Sequence, residues 1–148
     1  MEVQLVNVIV LFILNARLKP LFMKRPERDR HIVNVSAVKG RLYHKFKTTR
    51  HPHTNMTKAV LNVMTRTSAS DCHGDGIHMN SMDTGWGIDG YPVEIARRKT
   101  EQHRFYPPLD IVAGAALIVD PIIDGFNMGK YLWGKFLKDY RLPIDRRL

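Results

Sequence analysis

Four short patterns hold the residues best able to do chemistry. Tyr43-His44-Lys45-Phe46-Lys47 is a literal Tyr-x-x-x-Lys, and an ammonium beside a phenol can lower its pKa from about 10. Gly85-Trp86-Gly87-Ile88-Asp89-Gly90 spells G-x-G-x-x-G, which between a strand and a helix offers backbone amides and a helix N-terminus to a pyrophosphate. His51 and His53 place two imidazoles near one another, each with an ordinary pKa of about 6.5. Cys72-His73 sets a thiol beside an imidazole.

Each pattern also has a simpler reading. The third glycine of the phosphate fingerprint belongs inside the helix, whereas Gly90 precedes Tyr91-Pro92 and so falls before the helix starts. Tyr43 lies in a basic loop and reads as a surface tyrosine. His-x-His supplies two ligands where zinc takes three or four, so no metal site is expected. Cys72-His73 adjoins Gly74 and reads as a turn, and Trp86 and Trp133 as packing residues.

The elements that would position these groups follow from periodicity. Residues 3–22 read as a helix, apolar on most faces, broken near Pro20 and followed by the loop KRPERDR. The run 31–37, HIVNVSA, is short and β-branched: a buried strand. Residues 54–70 repeat apolar groups at Met56, Ala59, Val60, Val63 and Met64, a helix with one inward face, ended by Gly74 and Gly76. Residues 77–82 form the next strand candidate, followed by a glycine-rich loop over 84–90. Pro92 suits the first turn of a helix over about 93–103, and Pro107-Pro108 opens another over 109–123 that Gly125 closes. A last strand over 131–137 precedes a loose basic tail. Helices alternating with strands argue for a parallel sheet with helices on its faces. With no repeat or linker in its 148 residues, the chain reads as one α/β domain.

Bulk composition narrows the class further. At 44% hydrophobic and 25% charged, this is an ordinary globular sequence. The single cysteine, Cys72, cannot close an internal disulfide, which points to a reducing compartment such as the cytosol, a cytoplasmic location. The apolar run 8–14 is far short of the roughly 20 residues a span needs, has no preceding positive charge, and reads as part of a buried helix rather than a leader; no membrane is expected. The net charge of +9 is concentrated in 17–50, which holds eleven Lys and Arg against Glu27 and Asp29. Such a block can attract nucleic acid or other anions, but no aromatics interleave it at the spacing of a single-strand platform. A solvated face is the plainer reading, and nucleic acid is not the expected partner.

VNVIVLFIL, IVNVSAVKG, the lysine of TNMTKAVLNVMTRTSASD and GIHMNSMDTGW occur in the order and spacing of a short-chain dehydrogenase/reductase, which the chain resembles over nearly its whole length. In that family these blocks are the fourth helix, fifth strand, catalytic helix and sixth strand with its following loop, and YLWGKFLKDY is similar to the last strand. The resemblance implies the C-terminal half of a Rossmann-like doubly wound sheet, about three strands and four helices, with NAD(P) as the family's cofactor. The first four strands, the phosphate turn and the residue that reads the ribose have no counterpart in these residues.

The resemblance also assigns roles. Lys58 matches the lysine that lowers the catalytic tyrosine's pKa and holds the nicotinamide ribose, and Asn7 the proton-relay asparagine. Thr84, Gly85 and Trp86 fall in the loop near the nicotinamide. Thr54 stands where the tyrosine belongs, and an alkanol is far too weak an acid to replace a phenol. The serine position falls on Ala37, with Ser36 one residue earlier and turned to the opposite face if the strand stays extended. The two groups that would touch a reacting carbonyl are therefore absent, and the chain is expected to be inactive as a dehydrogenase. The family's pairing through its fourth and catalytic helices implies a homo-oligomer or association with a related dehydrogenase.

Overall fold

The computed structural model describes residues 2–27, 29–43, 51–85 and 109–139. The candidate helix over 93–103, Trp86, Lys47 and the basic tail lie outside the described residues.

Three parallel strands form one sheet in the order β1 (Arg30–Ser36), β2 (Ile77–Asp83), β3 (Phe136–Lys138). Arg30 pairs with Ile77 and Ser36 with Asp83, so β1 and β2 run level over seven residues. Every residue of β2 is buried, as befits a strand covered on both faces. Among the described residues three helices accompany the sheet: α1 (Glu2–Met23), α2 (Pro52–Gly74) and α3 (Ile111–Met128). A 3-10 turn, Val38–Gly40, links the end of β1 to α2.

The helices depart from the periodicity reading in instructive ways. Pro20 does not break α1, which runs on to Met23 and includes a π-helical stretch, Leu5–Ile9. Pro20 has no N–H to offer the Ala16 carbonyl, yet the helix continues for three residues past it. Nor is α1 buried. It packs along α2, yet Leu5, Val6, Ile9, Phe12 and Ile13 are all exposed.

The inward face of α2 is Thr57, Leu61, Thr65, Ala69 and Cys72, while Met56, Val60 and Val63 point outward. The hydroxyls disguised that stripe. Thr57 Oγ1 donates to the His53 carbonyl at 2.8 Å and Thr65 Oγ1 to that of Leu61 at 2.9 Å, so both threonines can face the sheet with their polar atoms satisfied. Cys72 and His73 sit in the last turn of α2 rather than in a loop. Gly125 does not close α3; it is buried within the helix, where a Cβ would strike the ring of Tyr131, and Gly129 at φ 62° ends it instead. The segment predicted as a strand over 131–137 is regular only at Phe136–Lys138.

Polar links tie the layers together. Asn15 Nδ2 of α1 donates to Asn34 Oδ1 of β1 at 3.3 Å, and Asn34 Nδ2 donates to Thr65 Oγ1 of α2 at 3.1 Å. At the far end Lys19 pairs with Asp71 and, at 2.7 Å, with Asp75. Those carboxylates hold the Lys19 ammonium's pKa above the ordinary lysine range. Arg30 donates to the carbonyls of Phe22 and Asp75. Lys19 and Arg30, two of the eleven cations of the basic segment, thus serve as internal clamps. Both α1 and α3 are long and apolar enough to cross a membrane, by length and composition alone.

Candidate functional site at the carboxyl ends of the strands

In a parallel sheet the loops leaving the strands' carboxyl ends converge on one crevice. Here that crevice is a cavity of about 600 Å³, and its walls include Ser36 and Ala37 after β1, Thr54 from the first turn of α2, Asp83 and Gly85 after β2, and Lys138 at the end of β3. Its size suits a small organic ligand or one end of a larger one.

The structure brings several of the sequence candidates together. Thr54 and Ser36 both face the cavity, and so does Ala37. Ala37 is still extended, at φ −157° and ψ 152°, and the 3-10 turn begins only at Val38. Ser36 Oγ donates to the Lys58 carbonyl at 3.3 Å. Lys58 Nζ donates to the Val35 carbonyl at 2.9 Å, which ties the ammonium to the strand end. Burial lowers the Lys58 pKa, and the charge of Asp83 opposes that shift. Gly85, at φ 71°, borders the cavity against Leu109, and Thr84 is half-buried beside it.

Other candidates lie elsewhere. Asn7 is in the π-helical stretch, where its side-chain amide donates to the Val3 carbonyl at 3.2 Å. Tyr43 is 84% exposed and lines no part of the crevice. His51 and His53 are exposed, with ring centroids 6.0 Å apart. Among the described residues no cluster of three or more His, Cys, Asp or Glu could hold a metal. The Cys72 thiol is buried, which raises its pKa and quenches its reactivity.

Sequence reasoning passed over Asp83. It is buried, and its two oxygens accept from the backbone amides of Val38, at 3.0 Å, and Gly85, at 2.8 Å. One carboxylate thereby pins the loop after β1 to the loop after β2. A carboxylate closing an apolar strand at the carboxyl edge of a parallel sheet was the available signal.

Comparison with known proteins places this architecture. No family model matches the sequence. An apo glucose dehydrogenase of Caenorhabditis elegans superimposes with TM-score 0.64 at 22% identity, over 89% of this chain and 52% of that one. A short-chain dehydrogenase/reductase of unknown function from the same organism, solved with cofactor, gives TM-score 0.68 at 20% identity over 89% and 51%. NADPH-bound carbonyl reductase from chicken fatty liver gives 0.59 at 19% over 93% and 53%. The chain has the fold of the C-terminal half of a short-chain dehydrogenase/reductase. It spans about half the length of these structures. An uncharacterized protein of Acanthamoeba polyphaga mimivirus is 31% identical over 105 residues, 66% of this chain and 22% of that protein.

The fold raises the question of NAD(P). Thr54 and Ser36 line the 600 Å³ crevice, which has room for one end of a dinucleotide, while Lys58 lies outside that lining with its ammonium on the Val35 carbonyl. Among the described residues no glycine-rich turn opens a helix to receive the pyrophosphate.

Proposed function

We propose that this chain is a dehydrogenase-like half-domain without dehydrogenase chemistry, and that it acts by association, with a second copy of itself or with a related dehydrogenase, in the cytoplasm. The observation that carries the reading is Thr54 in the crevice. Reduction of a carbonyl needs a proton donor whose pKa lies near the working pH. The described lining of the cavity offers two hydroxyls, lysines and aspartates, and no phenol, imidazole or thiol. Asp83 is already committed to two backbone amides, and Lys138 is paired with Asp139.

Association is supported by what α1 and α2 leave uncovered. Phe12, Ile9 and Leu5 of α1 and Val63, Val60 and Met56 of α2 are exposed on helices that pack side by side. Apolar surface of this extent marks an interface more often than a solvated face.

Two measurements test the proposal. Turnover of NADH or NADPH with a panel of ketones, aldehydes and secondary alcohols should be absent, and measurable steady-state turnover by this chain would end the reading. Sedimentation velocity should give a dimer or larger species that Phe12→Lys with Val63→Lys dissociates. A monomeric parent that neither self-associates nor binds an intact relative would remove the associative half.

A further inference from the structure

A second cavity of about 470 Å³, which shares no lining residue with the crevice, lies between α2 and the segment joining α3 to β3. Its α2 wall carries Arg66 and Ser70, and its other wall carries Lys130, Tyr131, Trp133 and Lys135. Three cations and the Ser70 and Tyr131 hydroxyls belong to its lining, and among the described residues no carboxylate does. Among the described residues none of the three cations forms an ion pair, in contrast to Lys19 and Lys138. Like charges gathered without counter-charge repel one another, so an arrangement of this kind is relieved by an anion.

The second wall is held in shape before any ligand arrives. Asn80 of β2 is buried, and its side chain donates to the Leu132 carbonyl at 2.8 Å and accepts from the Lys135 amide at 3.1 Å. Gly134, at φ 64°, donates its amide to the Met79 carbonyl at 2.7 Å, and a Cβ there would meet Ala69 of α2 at 3.4 Å. The segment is thus clamped to β2 by a buried amide and laid close against α2. One turn beyond Ser70, His73 stacks on Trp133 with centroids 4.4 Å apart and planes 11° from parallel. That stack fixes the indole at the rim, where Trp133 remains 37% exposed. Side chains and backbone so constrained lose little entropy on binding.

We propose that this groove binds a phosphate-bearing small molecule with an aromatic ring, of the nucleotide class. Arg66, Lys130 and Lys135, with the Ser70 hydroxyl, take the phosphate, and the ring lies against the exposed part of Trp133. Arginine recognises phosphate through a planar fork and lysine as a point charge, and the groove provides both. The aromatic wall makes the ligand more than inorganic phosphate. The site is independent of the crevice at the strand ends and stands whether or not the chain is an enzyme.

Isothermal titration of the full chain with AMP, adenosine and inorganic phosphate, at low and at physiological salt, tests the assignment. AMP should bind saturably and at least about fivefold more tightly than inorganic phosphate, the increment expected of one stacked ring. Adenosine should bind more weakly than AMP, and added salt should loosen AMP. Lys130→Glu and Arg66→Glu, both at exposed positions, should each weaken AMP at least tenfold, while Lys24→Glu on the α1 end leaves it unchanged. Circular dichroism confirms that each variant is folded. Absence of saturable AMP binding would overturn the proposal, as would equal loss in Lys24→Glu. Loss in Lys138→Glu with none in Lys130→Glu would put the anion in the other cavity and overturn it too. Binding of a single-stranded oligonucleotide by a chain indifferent to AMP would assign the groove to a polymer and refute the small-molecule site.

Discussion

Gly40→Ala should be among the most damaging single-methyl changes this protein can suffer. Gly40 closes the 3-10 turn after β1 at the point where α2 passes closest. A Cβ there would lie 2.5 Å from the Lys58 carbonyl carbon, 2.6 Å from its oxygen and 2.7 Å from the Ala59 amide nitrogen. All three are backbone atoms, so no rotamer change relieves the clash, and α2 must move nearly an ångström away from the sheet. Overpacking of a close-packed site costs about 1–3 kcal/mol, and a helix backbone that cannot rotate aside belongs at the upper end. At about 2–4 °C per kcal/mol for a chain of this size, Tm should fall by about 6–12 °C. The same displacement would carry Lys58 away from Val35 and loosen Ser36 from the Lys58 carbonyl. Gly74→Ala is the control. A Cβ there meets nothing within 4 Å, and removing a flexible glycine from the last turn of α2 should stabilise by about 0.5–1 kcal/mol. Thermal and urea unfolding followed by circular dichroism at matched concentration measure both. If Gly40→Ala unfolds within about 0.5 kcal/mol of the parent, the close approach of turn to helix is refuted.

Thr65→Val keeps the shape of the side chain but deprives the buried Asn34 amide of its acceptor, at a cost of about 1–3 kcal/mol. Thr67→Val, on an exposed position bonded only to its own helix, should change stability by less than about 0.5 kcal/mol, and equal effects in urea titrations would discount the Asn34 link. His31 sits among His78, Phe126 and Tyr131, and burial, then the neighbouring His78, lower its pKa below 6.5, with Asp29 opposing. A folded-state pKa below the unfolded value means the unfolded chain binds the proton first, so stability is retained above about pH 6.5 and lost as pH falls through it. Urea midpoints between pH 7.5 and 5 should therefore decline more steeply for the parent than for His31→Phe, and parallel declines would show that His31 carries none of the effect.

β1 and β2 were placed to within a residue of their ends because each is short and bounded by charge or glycine, whereas the third strand proved regular over only three residues. The loops of the crevice were equally accessible, since a parallel sheet gathers whatever follows its strands. Amphipathic faces were harder. Residues 56, 60 and 63 look like a core stripe on α2 by hydropathy, and only the packing shows that threonines and alanine take the sheet side, bonded back onto their own helix.

What the sequence determined by itself is local and chemical: the alternation of helix and strand and the parallel sheet it demands. Those conclusions depend on residue type and spacing, which one dimension preserves. Tertiary structure alone decided that Lys58 is tied to Val35, that Asp83 bridges two loops, and that Arg66 meets Lys130 and Lys135 across a groove. Those groups lie 23, 45 and more than 60 positions apart in the chain. Electrostatic and hydrogen-bonding energies fall off over a few ångströms of space, a distance that sequence separation does not encode.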